Sequence, residues 1–566
     1  MTRRRWMVAL PAGLFLLTVL LGGVFLRDVV AAGKNIYDEI YLFNEVLGLV
    51  SQHYVEDVAP DSLIEGAISG MLDRLDPHSN YMDPKRFREM EERNRGSYSG
   101  IGVSFQIREG NLTVISPIEG GPSYGLGIRS GDIITHIEGQ SAFGIKEQEV
   151  FDKLRGSKGT KVHITVRRVG ESKPLEFEII RDDIPILSVP YHFMLAPGVG
   201  YVMMRNFSAR TAEELAEAMQ GLKDQGMRQL ILDLRGNSGG YLNAAVDVSD
   251  IFLSGHKQIV YTKGRVPGST EEYYAGDQPS DCDLPLVVLI DAGSASASEI
   301  VAGAVQDWDR ALVAGHTSFG KGLVQRQYRL RNDGALLLTV ARYYTPSGRL
   351  IQRPYLPGER LDYYRHAGQE DSTGVATDGA EAAASDTTGR PVYHTMLRGR
   401  DVYGGGGITP DERITDTYRT SRLNQELLFN RKYFDYANDL RDAQKLEWTG
   451  NFEDFYREFR PSDPMVKGFE AFLEEQKFEF SPDSFQVHID EIHRGITAEI
   501  ARNLWGEQER YRILERDDPA LTRALELLPE AAAMLAEARR IEAETSANGD
   551  EAGRQARRSP PSGTPQ

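Results

Sequence analysis

A serine-rich segment and a glycine-flanked lysine are the residues of this sequence best suited to covalent chemistry. Residues 291–300 read DAGSASASEI and directly follow the apolar stretch 284–290, while residues 315–325 read GHTSFGKGLVQ. A serine that follows a buried strand and opens a helix lies at the sheet edge where α/β proteins place their sites, beside amides that can hold an anion. That position suits a nucleophile such as Ser296. The two glycines around Lys321 allow the backbone to approach closely.

Two other interpretations of these residues have to be weighed. The four residues from Ser296 to Glu299 fit the S-x-x-E capping box, and helix caps are far more common than catalytic serines, so the segment alone favours a cap. The eleven histidines would also allow a Ser-His-Asp hydrolase. That reading lacks a G-x-S-x-G elbow, and no histidine falls unambiguously in the downstream position that an α/β hydrolase requires.

A third segment, residues 233–240, reads DLRGNSGG. Taken together, the three segments resemble those of the carboxy-terminal processing peptidases, also called tail-specific proteases. The resemblance extends over roughly residues 36–415 and includes LDPHS at 75–79, YTPSG at 344–348 and VYGGGGITPD at 402–411.

The resemblance implies that Ser296 is the nucleophile and that Lys321, 25 positions later, is the general base. It also implies that Gln325 orients the lysine. A lysine accepts a proton readily near pH 7 only if burial lowers its pKa, so Lys321 is expected to be desolvated. His316 stands where relatives often have an acid, and it is expected at the surface.

Oxyanion stabilisation is likewise implied by the resemblance. One donor is the amide that follows the nucleophile, which belongs to Ala297. The other is a glycine amide of the loop from Asn237, with Gly239 preferred and Gly240 the next choice. Ser238 replaces the proline or glycine often found in this loop.

The segment SGIGVSF at 99–105 resembles the carboxylate-binding loop of PDZ domains. Amides of Gly100, Ile101, Gly102 and Val103 can close around a terminal carboxylate, and the strand that follows offers an edge to a peptide. Two glycines alone would equally fit a tight turn. The strand, the helix and the RSGDII turn at 129–134 that come after them favour a PDZ domain that recognises protein C-termini.

The remaining pattern predicts an α/β (α+β multidomain) protein, in which strands and helices alternate over about 184–360. We expect an N-terminal membrane segment, a PDZ domain placed before an α/β protease core, and a helical, aromatic-rich C-terminal appendage. The predicted boundaries are 1–33 for a signal anchor, 34–95 for a helical region, 96–183 for the PDZ domain, 184–415 for the protease core with a disordered insertion at 366–389, 416–545 for the C-terminal helices and 546–566 for a disordered tail.

Charge and hydropathy suggest where the protein acts. The formal net charge of −18 argues against nucleic-acid binding. Three arginines at 3–5 precede an uncharged run at 6–26, long enough to cross a bilayer, which would place the remainder outside the cytoplasm, in a bacterial periplasm or at the cell surface. An amphipathic helix from Ile36 could form a homo-oligomer contact. No cofactor or metal is expected, and the single cysteine, Cys282, is expected to be structural.

The sequence therefore predicts a membrane-anchored serine endopeptidase with a Ser-Lys dyad. It would cleave extracytoplasmic proteins near their C-termini after the PDZ domain has bound the tail. The alternative is a PDZ scaffold that binds protein C-termini without cutting them.

Overall fold

The structure is a computed structural model that describes residues 36–277, 281–365, 384–385, 389–415, 420–443, 446 and 448–558. The predicted anchor at 1–33, with its apolar run at 6–26, lies outside these residues, as does most of the predicted insertion at 366–389. None of the helices in the described chain is both long and apolar enough to cross a bilayer. The chain forms two units, one ending at Tyr81 and including Pro357–Glu359, the other comprising the rest.

The first unit is helical. Helix α1 covers 36–53 and α2 covers Pro60–Leu72, where the LDPHS turn follows and leads to strand β1 (Asn80–Met82). The Asp76 carboxylate fixes this turn, because it accepts hydrogen bonds from the Ser79 amide at 2.8 Å and the Ser79 hydroxyl at 2.6 Å. The apolar side chains of α1 remain exposed, among them Ile36 at 62% and Ile40 at 50%.

The segment predicted as a PDZ domain is a small sheet capped by helices. It follows helix α3 (Pro84–Arg95) and contains β2 (Ser97–Gly100), β3 (Val103–Arg108), β4 (Asn111–Pro117), α4 (Pro122–Gly125), β5 (Ile133–Ile137), β6 (Gln140–Ser141), α5 (Glu147–Leu154), β7 (Lys161–Arg167), β8 (Leu175–Ile180) and β9 (Asp182–Pro185). The sheet order is β3-β4-β5-β7-β8, so β3 is an edge strand. Strands β2 and β9 pair at the base of the domain, where the chain enters and leaves it.

The α/β core contains two larger sheets and one small three-stranded sheet. Its elements are β10 (Tyr191–Ala196), β11 (Val199–Met203), α6 (Thr211–Asp224), β12 (Gln229–Asp233), α7 (Leu242–Phe252), β13 (Gln258–Gly264), β14 (Glu272–Tyr274), β15 (Leu286–Ile290), α8 (Ala297–Asp307), β16 (Leu312–Gly315), β17 (Leu323–Arg329), β18 (Ala335–Tyr344), α9 (Arg360–Arg365), β19 (Ala384–Ser385), β20 (Pro391–His394), β21 (Asp401–Tyr403) and β22 (Glu412–Arg413). The main sheet has the order β10-β11-β12-β15-β16-β22 and is parallel from β11 onwards. An antiparallel sheet contains β17, β18, β13 and β14 in that order.

Helices cover both faces of the main sheet, as the alternation of buried residues along a strand requires. Leu230 and Val288 belong to the cluster that also contains residues of α6, α7 and α8. Their strand neighbours Ile231 and Val287 belong to a second cluster, which contains residues of the last helix of the chain, α17 (Pro519–Arg558). That helix is therefore a layer of the core, whereas an appendage was expected.

The C-terminal region before α17 is helical and rich in buried aromatic side chains, as predicted. Its helices are α10 (Arg422–Phe429), α11 (Lys432–Asp442), α12 (Phe452–Glu458), α13 (Asp463–Glu475), α14 (Pro482–Val487), α15 (Ile489–Leu504) and α16 (Glu507–Leu514). Phe455, Phe469 and Phe485 are fully buried in their common core. Helix α17 continues beyond 546 to Arg558. Residues 546–558 include alanine, glutamate, glutamine and arginine, which favour helix.

Candidate active site

Ser296 lies at the turn between β15 and α8, at the carboxyl end of the main sheet. Its backbone has φ 56° and ψ −109°, outside the regions that side-chain-bearing residues usually adopt. Such a conformation costs on the order of 1–3 kcal/mol and persists only where the surroundings enforce it. The side chain is half-buried, while Ala295 and Ala297 on either side of it are buried.

The two neighbouring serines of the SASAS stretch have structural partners. Both are fully buried. The Ser294 hydroxyl donates to the Leu234 carbonyl and the Ser298 hydroxyl donates to the Asn237 carbonyl, each at 2.8 Å. These bonds attach the turn to the loop at 233–240, and the middle serine is the one that keeps access to solvent.

A buried carboxylate links the serine turn to the lysine loop. Glu299 has no exposed surface, and it accepts hydrogen bonds from the Ser296 amide at 2.7 Å and from the Lys321 amide at 2.9 Å. The Gly320 amide at 2.6 Å and the Ser318 hydroxyl at 2.5 Å donate to its other oxygen. Burial raises the pKa of Glu299, and these four donors oppose that shift. Glu299 therefore caps helix α8, as the capping box predicts, and it also binds the backbone amide of Lys321.

Tyr343 makes a second link between the same two residues. Its buried hydroxyl lies 3.1 Å from the Ser296 carbonyl and 2.6 Å from the Lys321 carbonyl, so its proton can be shared between them. Burial raises the pKa of Tyr343 well above its usual value, so the phenol stays protonated. No pattern in the sequence pointed to this tyrosine, which immediately precedes the YTPSG motif.

The lysine side chain is held by the residue expected to orient it. Lys321 Nζ donates to Gln325 Oε1 at 2.9 Å, across the start of β17. Lys321 is only partly buried, whereas strong desolvation was expected. His316, expected at the surface, is also partly buried, and its Nε2 has no hydrogen-bond partner among the described residues.

The two glycines beside the lysine are required by close backbone contacts. A Cβ on Gly320, whose φ is 86°, would lie 2.9 Å from the Arg353 Cβ and 3.1 Å from the Gly407 nitrogen. A Cβ on Gly322 would lie 2.9 Å from the Gln352 nitrogen. The lysine loop therefore packs directly on the segment 350–353 and on the GGGGITP segment.

The predicted oxyanion loop lies against the serine turn. Gly239 has φ 96°, and a Cβ there would lie 2.8 Å from the Ser296 Cβ and 3.0 Å from the Ala297 nitrogen. The Gly239 amide itself donates to Asn237 Oδ1 at 2.9 Å. Among the described residues, the amides of Ala297 and Gly240 have no acceptor. This arrangement favours Ala297 and Gly240 as the donors, with Gly239 setting the distance.

Replacing Gly239 with alanine should lower kcat by about 100-fold or more. The new methyl group would overlap the serine turn, and losing one oxyanion donor typically costs that much. Gly236→Ala is the matched control, because Gly236 also has a positive φ, 66°, yet a Cβ there meets nothing within 4 Å. We expect that control to lose about 1 kcal/mol of stability and to keep its kcat within a few-fold. Equal losses of kcat in both variants would contradict the proximity argument.

The predicted carboxylate-binding loop lies at the start of β3. Residues Gly100, Ile101, Gly102 and Val103 are all buried, and Gly102 has φ 72°. The Ile101 carbonyl accepts from the Ser123 amide at 3.1 Å, which fixes the loop, whereas the amides of Ile101 and Gly102 have no acceptor within the described chain. Helix α5 lies beside the loop, since a Cβ on Gly100 would be 3.6 Å from the carbonyl oxygen at its last residue, Leu154.

Four family models match this chain. Residues 198–358 match peptidase family S41, and residues 113–168 match a PDZ domain. Residues 28–86 match the activating protease CtpB N-terminal domain, and residues 420–506 match a family of unknown function. The α/β core with its PDZ domain thus defines a serine-type peptidase of family S41.

Comparison with individual proteins shows which kind of S41 peptidase this chain resembles. A carboxy-terminal-processing protease of Bartonella bacilliformis is 38% identical over 323 residues, which are 56% of this chain and 74% of the relative. Carboxy-terminal processing protease CtpA of Bacillus subtilis is 32% identical over 338 residues, 59% of this chain and 71% of the relative. A solved structure of the photosystem II D1 C-terminal processing protease is 28% identical, covers 58% of this chain and 97% of that one, and has a TM-score of 0.31. The chain belongs to the carboxy-terminal processing proteases, as its motifs predicted.

Proposed function

We propose that this protease cuts peptide bonds with a Ser296-Lys321 dyad. The observation that supports the pair most strongly is the buried Glu299 carboxylate, which binds the backbone amides of both residues. A single rigid group thereby fixes the nucleophile relative to the base, which is the positioning that catalysis needs.

The reaction proceeds in two halves. Ser296 Oγ attacks the carbonyl carbon while its proton passes to Lys321 Nζ, and the amides of Ala297 and Gly240 stabilise the oxyanion. The ammonium returns this proton to the departing amine, leaving an ester on Ser296. Water then attacks the ester while Lys321 accepts its proton. The bond between the carbonyl carbon and Ser296 Oγ breaks as the ammonium returns that proton to Oγ, and the acid product leaves. Gln325 Oε1 keeps Nζ oriented by accepting one of its hydrogens.

The PDZ domain selects the substrate by its C-terminus in this proposal. The two amides without acceptors at Ile101 and Gly102 can donate to a terminal carboxylate. The edge strand β3 then offers main-chain groups to the residues that precede it. Substrates are therefore proteins or peptides with an accessible, unfolded C-terminus, and cleavage falls near that end.

We place the enzyme at a membrane, with its catalytic domain outside the cytoplasm. This proposal rests on the three arginines and the apolar run at 6–26. We also propose that the protein forms a homo-oligomer through its N-terminal helices. Its support is the exposed apolar side of α1, where Ile36, Ile40 and Phe43 are 62%, 50% and 44% exposed.

Two versions of an unfolded peptide substrate test this function, one with a free C-terminal carboxylate and one with a C-terminal amide. The enzyme should cleave the free acid near its tail, and the amide should show a KM about 10-fold higher with a similar kcat, because a charged hydrogen bond is lost. Mass spectrometry of the fragments gives the cut sites, and initial rates give both constants. Equal KM values would contradict tail recognition, while binding without any cleavage would favour the scaffold alternative.

A further inference from the structure

The C-terminal helical region reaches the loop that contains the predicted oxyanion glycines. Arg235, in that loop, forms an ion pair with Asp233 at 2.7 Å and a second one, also at 2.7 Å, with Asp518 at the start of α17. Glu515, just after α16, lies 3.7 Å from the same guanidinium. Buried guanidinium groups are stable only when such partners compensate for lost hydration.

We propose that Asp518 and Glu515 are positioning residues for catalysis, holding the oxyanion loop in its active geometry through Arg235. This inference rests on the proposed function of that loop.

The backbone of the loop transmits the position of Arg235 directly. The Arg235 amide donates to Asp233 Oδ1 at 2.9 Å, and the next amide, of Gly236, donates to Asp291 Oδ1 at 2.8 Å. Asn237 then donates from its side chain to the Met204 carbonyl and accepts from Gly239, both at 2.9 Å. Only four residues separate the guanidinium from Gly240. A displaced Arg235 would therefore disturb the amides that face the oxyanion.

Rigid elements hold the two acidic residues in place. Asp518 Oδ1 accepts from the Ala520 amide at 2.8 Å, so it caps the helix that packs under the main sheet. Tyr511 of α16 stacks on Tyr191 with ring centroids 4.0 Å apart. Its hydroxyl lies 3.2 Å from that of Tyr201, which donates to Asp233 at 2.9 Å. The cluster is thus bound to the core on two sides.

The same region also binds the PDZ domain, at separate residues. Asp435 of α11 forms a bidentate ion pair with Arg108 at the end of β3. Arg502 of α15 donates to the Ile115 carbonyl and to the Ser130 hydroxyl, each at 3.3 Å. These contacts provide a matched comparison, because they join the C-terminal region to the substrate-binding domain and not to the oxyanion loop.

Ionisation of Glu515 should make catalysis depend on pH. Burial, with Asp518 nearby, raises the pKa of Glu515 to about 8 against the opposing effect of Arg235. The raised pKa favours the protonated, uncharged form of Glu515, and its negative charge returns as the pH rises. That charge faces Asp518, Arg235, Asp233 and the Tyr511 hydroxyl, so it adds repulsion to two carboxylates that share one arginine.

The test compares three variants of the full chain. Asp518→Asn keeps a good helix cap but removes the charge, so we expect kcat to fall about 10-fold or more with KM within about twofold. Asp517→Asn, at the neighbouring position, is the control, because Asp517 is 60% exposed and lies 3.6 Å from Arg494, away from Arg235; its kcat should not change. Asp435→Asn should instead raise KM and leave kcat within about twofold.

The dependence of kcat on pH separates a positioning role of Glu515 from a role in stability alone. Between pH 7 and 9 the ratio of the wild-type kcat to the kcat of Glu515→Gln should fall, because only the wild type gains a charge at position 515 while both enzymes keep the same Lys321 titration. An unchanged kcat in Asp518→Asn, or identical profiles for wild type and Glu515→Gln, would overturn the proposal. The variants are compared with a wild-type enzyme that cleaves its substrate. If the proposed function were wrong, the wild type itself would be inactive.

Discussion

Ser296→Ala should lower kcat for peptide cleavage by about 10,000-fold or more while the Kd of the substrate tail stays within about twofold. The methyl group cannot form the ester intermediate, whereas the PDZ loop at Gly100–Val103 is a separate surface that the change does not touch. Losing the hydroxyl should also not unfold the chain, because an alanine keeps the same backbone. Rates of fragment release and binding of a fluorescent tail peptide measure the two quantities.

The flanking serines are the matched controls for this change. Ser294→Ala and Ser298→Ala each delete a buried hydrogen bond to the loop at 233–240, so each should cost about 1–3 kcal/mol of stability. Each should retain at least a tenth of the wild-type kcat below its unfolding temperature. If either lost as much activity as Ser296→Ala, the assignment of the nucleophile within the SASAS stretch would fail.

Local pattern was enough to predict much of the secondary structure. Strands and helices alternate over about 184–360 as expected, and the apolar stretch at 284–290 contains strand β15, which starts at Leu286. The reason is that these elements bury one regular face or a continuous apolar run, which a short window of sequence reveals.

The contacts that assemble the site could not be predicted in this way. Glu299 was recognisable as a helix cap, yet its bonds to the lysine loop join residues about 20 positions apart, and no local rule specifies them. Tyr343 reads as an ordinary strand tyrosine. The position of α17 was not predicted, because an apolar helix face indicates that the helix packs on some surface but not which one. The surface it contacts lies more than 200 residues earlier in the sequence, at Val287 and Leu289.

Lys321→Ala should reduce kcat by about 10,000-fold, close to the loss for the nucleophile, since residues that act as one catalytic unit fail together. Lys321→Arg is the more informative change. Arginine keeps the positive charge and much of the length, but it cannot lose its proton under these conditions. If Lys321 acts by accepting the proton of Ser296, the arginine variant should be as inactive as the alanine variant.

A purely electrostatic lysine would give a different result, because the arginine variant would then recover a substantial part of kcat. Lys263→Ala is the control for loss of a nearby cation: Lys263 is exposed and lies on β13, over the rings of Tyr261 and Tyr344. Its kcat should stay within about twofold of wild type. Glu299 binds the backbone amide at 321, which both lysine variants keep, so the loop should keep its place in both. Activity in these variants therefore reports on proton transfer, with the position of the backbone held constant.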